Sequence, residues 1–263
     1  MAIKMLSKKE IDKIKAQARE KLVAYCKLND VIGSQVFTIL EKESHVLYYP
    51  LEDQTVWGFS EKIHGKSFVC INTSIDFEQQ VFAAAHELYH LWYGNAGEVL
   101  LPEAEYEEEE LLANRFAAEF LINEELLLQE MRTYGIAKEI VSIKDIVQLS
   151  YLFMVPYCTM VKRLCEIGLL KGVAETEFMN ISAEQIAIWK KRLGLLPTVR
   201  ESKIGLSNLV DTAMNLYEKR MITYEKLDYL LAFSELSPEE MGIEAPRGYI
   251  PPTEAELDAI MEE

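Results

Sequence analysis

Two histidines four residues apart with a glutamate between them, His86-Glu87-Leu88-Tyr89-His90, form the pattern H-E-x-x-H. On a helix, positions i and i+4 share one face, so both imidazoles can ligate a single zinc ion. Glu87 can then reach a water beside the metal and serve as its general base, which is the chemistry of amide hydrolysis. Two imidazoles fill only half of a tetrahedral coordination sphere. A catalytic site needs a third protein ligand and one open position.

The acidic run that ends in Glu107-Glu108-Glu109-Glu110 and continues into Leu111-Leu112-Ala113-Asn114-Arg115-Phe116-Ala117-Ala118-Glu119-Phe120-Leu121 offers that ligand. At 100° per residue Glu110 lies on one stripe with Ala113, Asn114, Ala117 and Leu121, the stripe that should face the core, while Glu119 lies opposite. A carboxylate aimed at a core beside alanines needs a cation to offset its desolvation, and a half-coordinated zinc supplies one. Glu110 is therefore the expected third ligand, with Glu107, about one sixth of a turn away, as the alternative. Asn114 is placed to orient a ligand from outside the coordination sphere. Tyr89, Tyr93 and His64 are the sequence candidates for an oxyanion donor.

Three segments in order, Cys70-Ile71-Asn72, Ala85-His86-Glu87-Leu88-Tyr89-His90 and Glu110 to Leu121, resemble the ImmA/IrrE zinc metallo-endopeptidases. The last is similar to that family's E-x-x-A-N-x-F-A-A pattern, and the resemblance places the third-ligand role on Glu110. It covers residues from about 35 to 172. The chain has Tyr89 where the family often has glycine, and Ile122-Asn123 where it often has methionine-proline. The resemblance implies a regulatory zinc endopeptidase whose substrate is a protein, a helix-turn-helix repressor of a mobile element or stress regulon.

The elements that must position these residues are legible in outline. Ser7 and Glu10 form a capping box for an amphipathic helix over 8–27. Short β-branched and aromatic runs, Val36 to Leu40, His45 to Tyr49, Thr55 to Phe59 and Ser67 to Asn72, predict a small, largely antiparallel sheet. Asp76 and Gln79 cap the H-E-x-x-H helix, and Ala83-Ala84-Ala85 allow a neighbour to approach it closely. The fold class is thus α+β. It comprises a zincin-like domain over 1–135, a helix-turn-helix-like pair over 136–172 and a helical region over 173–263 ending in an acidic tail.

Composition bounds the function. The net charge of −16 opposes non-specific binding to nucleic acid or anionic lipid. The helix pair could present Tyr157, Thr159, Lys162 and Arg163 to a major groove, but few basic residues flank it, so DNA is not the expected partner. The four cysteines contain no C-x-x-C pair and read as reduced thiols. No apolar run reaches the length of a membrane span, and the expectation is a soluble, cytoplasmic protein. Two other readings are a DNA-binding regulator built on 142–171 and a protein that binds a repressor without cutting it.

Overall fold

The computed structural model describes residues 6–94, 103–137, 141–197 and 204–246, with side chains of 103–107 excepted. Helix α1 (Lys8–Ala24) opens on the predicted capping box, Ser7 and Glu10 each binding the other's backbone N–H. It buries Ile14, Ala18 and Leu22, one turn apart, against the core. Helix α2 (Gln35–Glu43) leads into strand β1 (His45–Tyr49), and strands β2 (Gly58–Ile63) and β3 (Lys66–Asn72) form a hairpin. Then come α3 (Phe77–Tyr93), α4 (Glu103–Leu121), α5 (Glu124–Thr133), α6 (Ile143–Phe153) and α7 (Tyr157–Glu166). The C-terminal region holds α8 (Val173–Met179), α9 (Ala183–Arg192), β4 (Gly205–Leu206), α10 (Leu209–Glu218) and α11 (Tyr224–Ala232).

The expected strand over Val36 to Leu40 is instead the body of α2. Its buried residues, Val36, Phe37, Ile39 and Leu40, follow helical spacing, so periodicity outweighs their β-prone side chains. The run from Thr55 to Phe59 is strand only from Gly58 onward. The sheet order is β2-β3-β1-β4. Two pairings are antiparallel, as expected, but the central one, β1 on β3, is parallel, with Tyr48 opposite Ile71. Strand β4, from the region beyond residue 172, closes one edge; β2 is the other edge.

The loop before β2 owes its shape to Asn72, which is fully buried. Its Oδ1 accepts from the N–H groups of Leu51 (3.0 Å) and Ser74 (2.9 Å) and from the Ser74 hydroxyl (2.7 Å). Its Nδ2 donates to the carbonyls of Asp53 (3.2 Å) and Val56 (2.7 Å). This one amide thus ties both ends of the 50–57 segment to the end of β3 and fixes where β2 begins. Asn72→Ala is expected to lower stability by about 2–3 kcal/mol, because several buried backbone groups lose their partner at once. Urea denaturation measures it; a loss under ~0.5 kcal/mol contradicts the role given to Asn72.

One hydrophobic core runs from Ile14 on α1 through Val81 and Leu88 on α3 and Phe116 and Phe120 on α4 to Phe153 and Leu164 on the α6–α7 pair. The positions where this chain departs from the family pattern are used structurally. Tyr89 packs its ring 5.6 Å from that of Phe116. Asn123 caps α5, accepting from the Leu126 N–H at 3.0 Å, and its amide donates to the Leu28 carbonyl at 2.9 Å. A small second cluster, Ala213, Leu227 and Leu231, joins α10 to α11. The acidic tail of the sequence lies outside the described residues.

Candidate active site

Helix α3 begins at Asp76, whose N–H donates to Gln79 Oε1 at 3.1 Å, completing the predicted cap. Ala83, Ala84 and Ala85 are buried, and Ala113 and Ala117 on α4 are fully so. Small residues on both helices let α4 lie close along α3. That closeness brings Glu110 over the two histidines. His86 Nε2 is 3.1 Å from Glu110 Oε2, His90 Nε2 is 3.3 Å from Glu110 Oε1, and the two Nε2 atoms are 3.1 Å apart. Four-coordinate ligands at 2.0–2.1 Å from one ion are themselves about 3.3–3.4 Å apart, so this spacing suits a single tetrahedral metal.

The outward nitrogens decide the tautomers. His86 Nδ1 lies 3.2 Å from Asn114 Oδ1, and His90 Nδ1 lies 3.4 Å from Glu109 Oε1. Both partners are acceptors, so each Nδ1 carries a proton and each neutral ring turns a lone pair inward at Nε2. Two lone pairs and a carboxylate then converge on one point, an arrangement that repels itself unless a cation or a proton sits there. His86, His90 and Glu110 form the group able to hold a metal ion among the described residues. About a third of the Glu110 side chain remains accessible, which leaves a way in from solvent.

The electrostatics agree. Burial would raise the Glu110 carboxyl, yet the two imidazoles opposite hold it down at about 2. Burial disfavours a charged His90, but Glu110, Glu87 and Glu109 together hold its pKa above the ordinary value. Without metal, a proton is therefore the cation that His90 retains. Metal binding displaces it, and affinity is expected to fall as pH drops below the raised His90 value.

Glu87 is almost fully buried. Burial raises its pKa, and His86, His90 and a hydrogen bond with Ser60 partly offset this. Gly58 and Ser60 bring β2 against it: a Cβ added to Gly58 would meet the Cys70 carbonyl at 3.0 Å and Glu87 Oε1 at 3.6 Å. Sequence reasoning missed Ser60, Gly58 and Glu109. Ser60 and Gly58 carried no local signal, whereas Glu109 stood unread in the acidic run beside Glu110. Gly94 belongs with Glu109, because a Cβ there would lie 2.5 Å from Glu109 Oε1. Glu109→Ala and Asn114→Ala are each expected to weaken metal affinity about 10–100-fold, as removal of outer hydrogen-bond partners commonly does. Competition with a chromophoric chelator measures this, and unchanged affinity in both would refute it.

The structure places the remaining candidates elsewhere. The Tyr93 hydroxyl, pushed up to about 12 chiefly by burial, donates to the Gln17 carbonyl on α1 at 3.4 Å. Tyr89 lies in the aromatic core, its ring edge-on to His90. His64 occupies the exposed turn of the β2–β3 hairpin with φ +50°, roughly 13 Å of extended chain beyond Ser60. The side chain of Glu107, the alternative ligand, lies outside the described residues.

A helix bearing His-Glu-x-x-His, a carboxylate delivered by the next helix and a small sheet against the glutamate together define a metallopeptidase framework. Residues 41–164, which contain all of these parts, match the model of peptidase family M78, described as the IrrE N-terminal-like domain. None of the curated proteins matches the chain.

Proposed function

We propose that the protein is a zinc-dependent endopeptidase in which His86, His90 and Glu110 hold the metal and Glu87 is the catalytic base. The observation that carries this reading is the convergence of three inward-facing acceptors beside a buried carboxylate. Two imidazoles and one carboxylate suit zinc, which when bound polarises a carbonyl and makes a neighbouring water acidic. The chain's own residues do the rest. Asn114 and Glu109 fix the imidazole tautomers. Glu87, whose pKa burial raises, takes a proton from water and returns it to the departing amine. Ser60 holds the Glu87 carboxylate in place. Strand β2, a sheet edge with Ser60 beside Glu87, favours a substrate bound as an added strand, so proline substitution within the cleaved segment is expected to slow cleavage.

The substrate we propose is a helix-turn-helix repressor, in a cytoplasmic setting that suits the four free cysteines. No helix among the described residues is long and apolar enough to cross a membrane. Reading of DNA by α7 is disfavoured, because Arg163, one of its two basic residues, is completely buried. The test is to load the protein with zinc, count about one ion per chain, and incubate it with the repressor encoded beside it. Mass spectrometry should find one discrete fragment, absent with His90→Ala. A fragment that persists with His90→Ala, or no fragment with the zinc-loaded protein, overturns the proposal.

A further inference from the structure

The outer face of the sheet, away from α3, is strongly apolar. Leu47, Phe59 and Ile63 are each more than a third exposed there, and Phe233 beyond the end of α11 is 43% exposed beside them. With Phe68 and Leu230 they line a groove of about 480 Å³ between the sheet and the α10–α11 pair. Nothing among the described residues fills it.

We propose that the chain's own C-terminal segment, residues 247–263, occupies this groove and lays Leu257, Ile260 and Met261 against Leu47, Phe59 and Phe233. Three observations select this occupant. The described chain ends at Pro246, three residues after Ile243, which packs in the same small cluster as the groove residue Leu230. The ten residues from 247 to 256 span up to about 33 Å, ample to bring Leu257 onto the sheet. Leu257, Ile260 and Met261 recur at i, i+3 and i+4, with Glu254, Glu256, Asp258, Glu262 and Glu263 between and around them. One apolar stripe thus matches one apolar groove.

Charge gives a direction. Lys66 pairs with Ile63 at the hairpin end of the groove and is exposed, whereas Glu61 lines the groove itself. The acidic side of the segment therefore turns towards Lys66 and away from Glu61. A tethered segment also acts at a local concentration on the order of millimolar, which puts a second copy or an unrelated protein at a disadvantage. The groove adjoins the active site through one strand, since Phe59 and Glu61 face it while Gly58 and Ser60 face Glu87. The docking itself does not depend on the peptidase reading.

A photoreactive benzophenone amino acid at position 63, in the full chain, tests the proposal directly. After irradiation and digestion, the expected product is an intrachain crosslink to residues 249–261 whose yield is independent of protein concentration. Leu257→Glu/Ile260→Glu in the same background should cut that yield about tenfold, because two carboxylates cannot enter an apolar groove without losing at least 1.4 kcal/mol. A crosslink to another copy that grows with concentration, a crosslink elsewhere, no crosslink to the tail, or an undiminished yield in the double variant would each overturn it.

Discussion

Glu87→Gln is expected to bind metal as tightly as the parent chain and to cleave substrate about 10²–10⁴-fold more slowly. The amide has the shape of the carboxylate, so its contacts with β2 and the hydrogen bond with Ser60 can persist, while a base that takes and returns a proton is lost. None of the three converging ligand atoms belongs to Glu87, which is why affinity should hold. The metal-free variant should also be the more stable one. Burial raises the Glu87 pKa from 4.5 in the folded state, so the folded chain holds that proton after the unfolded chain has released it. Stability then falls as pH rises from about 4.5 towards the raised value, and above it the buried charge is a standing cost that glutamine avoids. Thermal unfolding of both metal-free proteins across that range should show curves that coincide at low pH and separate as pH rises. Parallel curves, or loss of metal with loss of activity, would move Glu87 out of the role of base.

Much of this site was legible because its chemistry is written within single helices. The four-residue step from His86 to His90 and the stripe from Glu110 through Asn114 to Leu121 are local periodicities, and α3 and α4 kept both. The parts that escaped reading are contacts between elements distant in sequence. Ser60 reaches Glu87 only because Gly58, lacking a Cβ, lets β2 press against α3. Glu109 becomes a partner of His90 through the way α4 crosses α3, which no wheel drawn on α4 alone contains. The strand expected over Val36 to Leu40 fails for a different reason, since the helical spacing of its apolar residues outweighs their β-prone composition. Glu119 lies on the face of α4 opposite Glu110, as helical periodicity predicts, but that face is covered by α7 and not by water.

The covering contact predicts the largest loss of stability. Arg163 is fully buried; its Nε donates to the Ile122 carbonyl at 2.9 Å, one guanidinium nitrogen donates to Glu119 at 2.8 Å and to Glu166 at 3.1 Å, and the other to Glu119. Arg115 also pairs with Glu119 and, at 2.8 Å, with Glu166. The four charges cancel, and they join the far end of the site-bearing α4 to α7. Arg163→Met should destabilise by about 3–5 kcal/mol, because it strands one buried carboxylate and leaves the Ile122 carbonyl without its donor. Glu119→Gln strands a buried guanidinium instead and should cost a similar amount. The double variant keeps only Arg115 and Glu166, a neutral pair already in contact, so its loss should fall short of the sum of the single losses by about 1–3 kcal/mol. Glu110 lies nine residues along α4, about 14 Å away, so metal affinity in each folded variant should stay near that of the parent. Chemical denaturation of the four proteins closes the cycle, and strictly additive losses would mean that the helix pair is held to the peptidase core by packing alone.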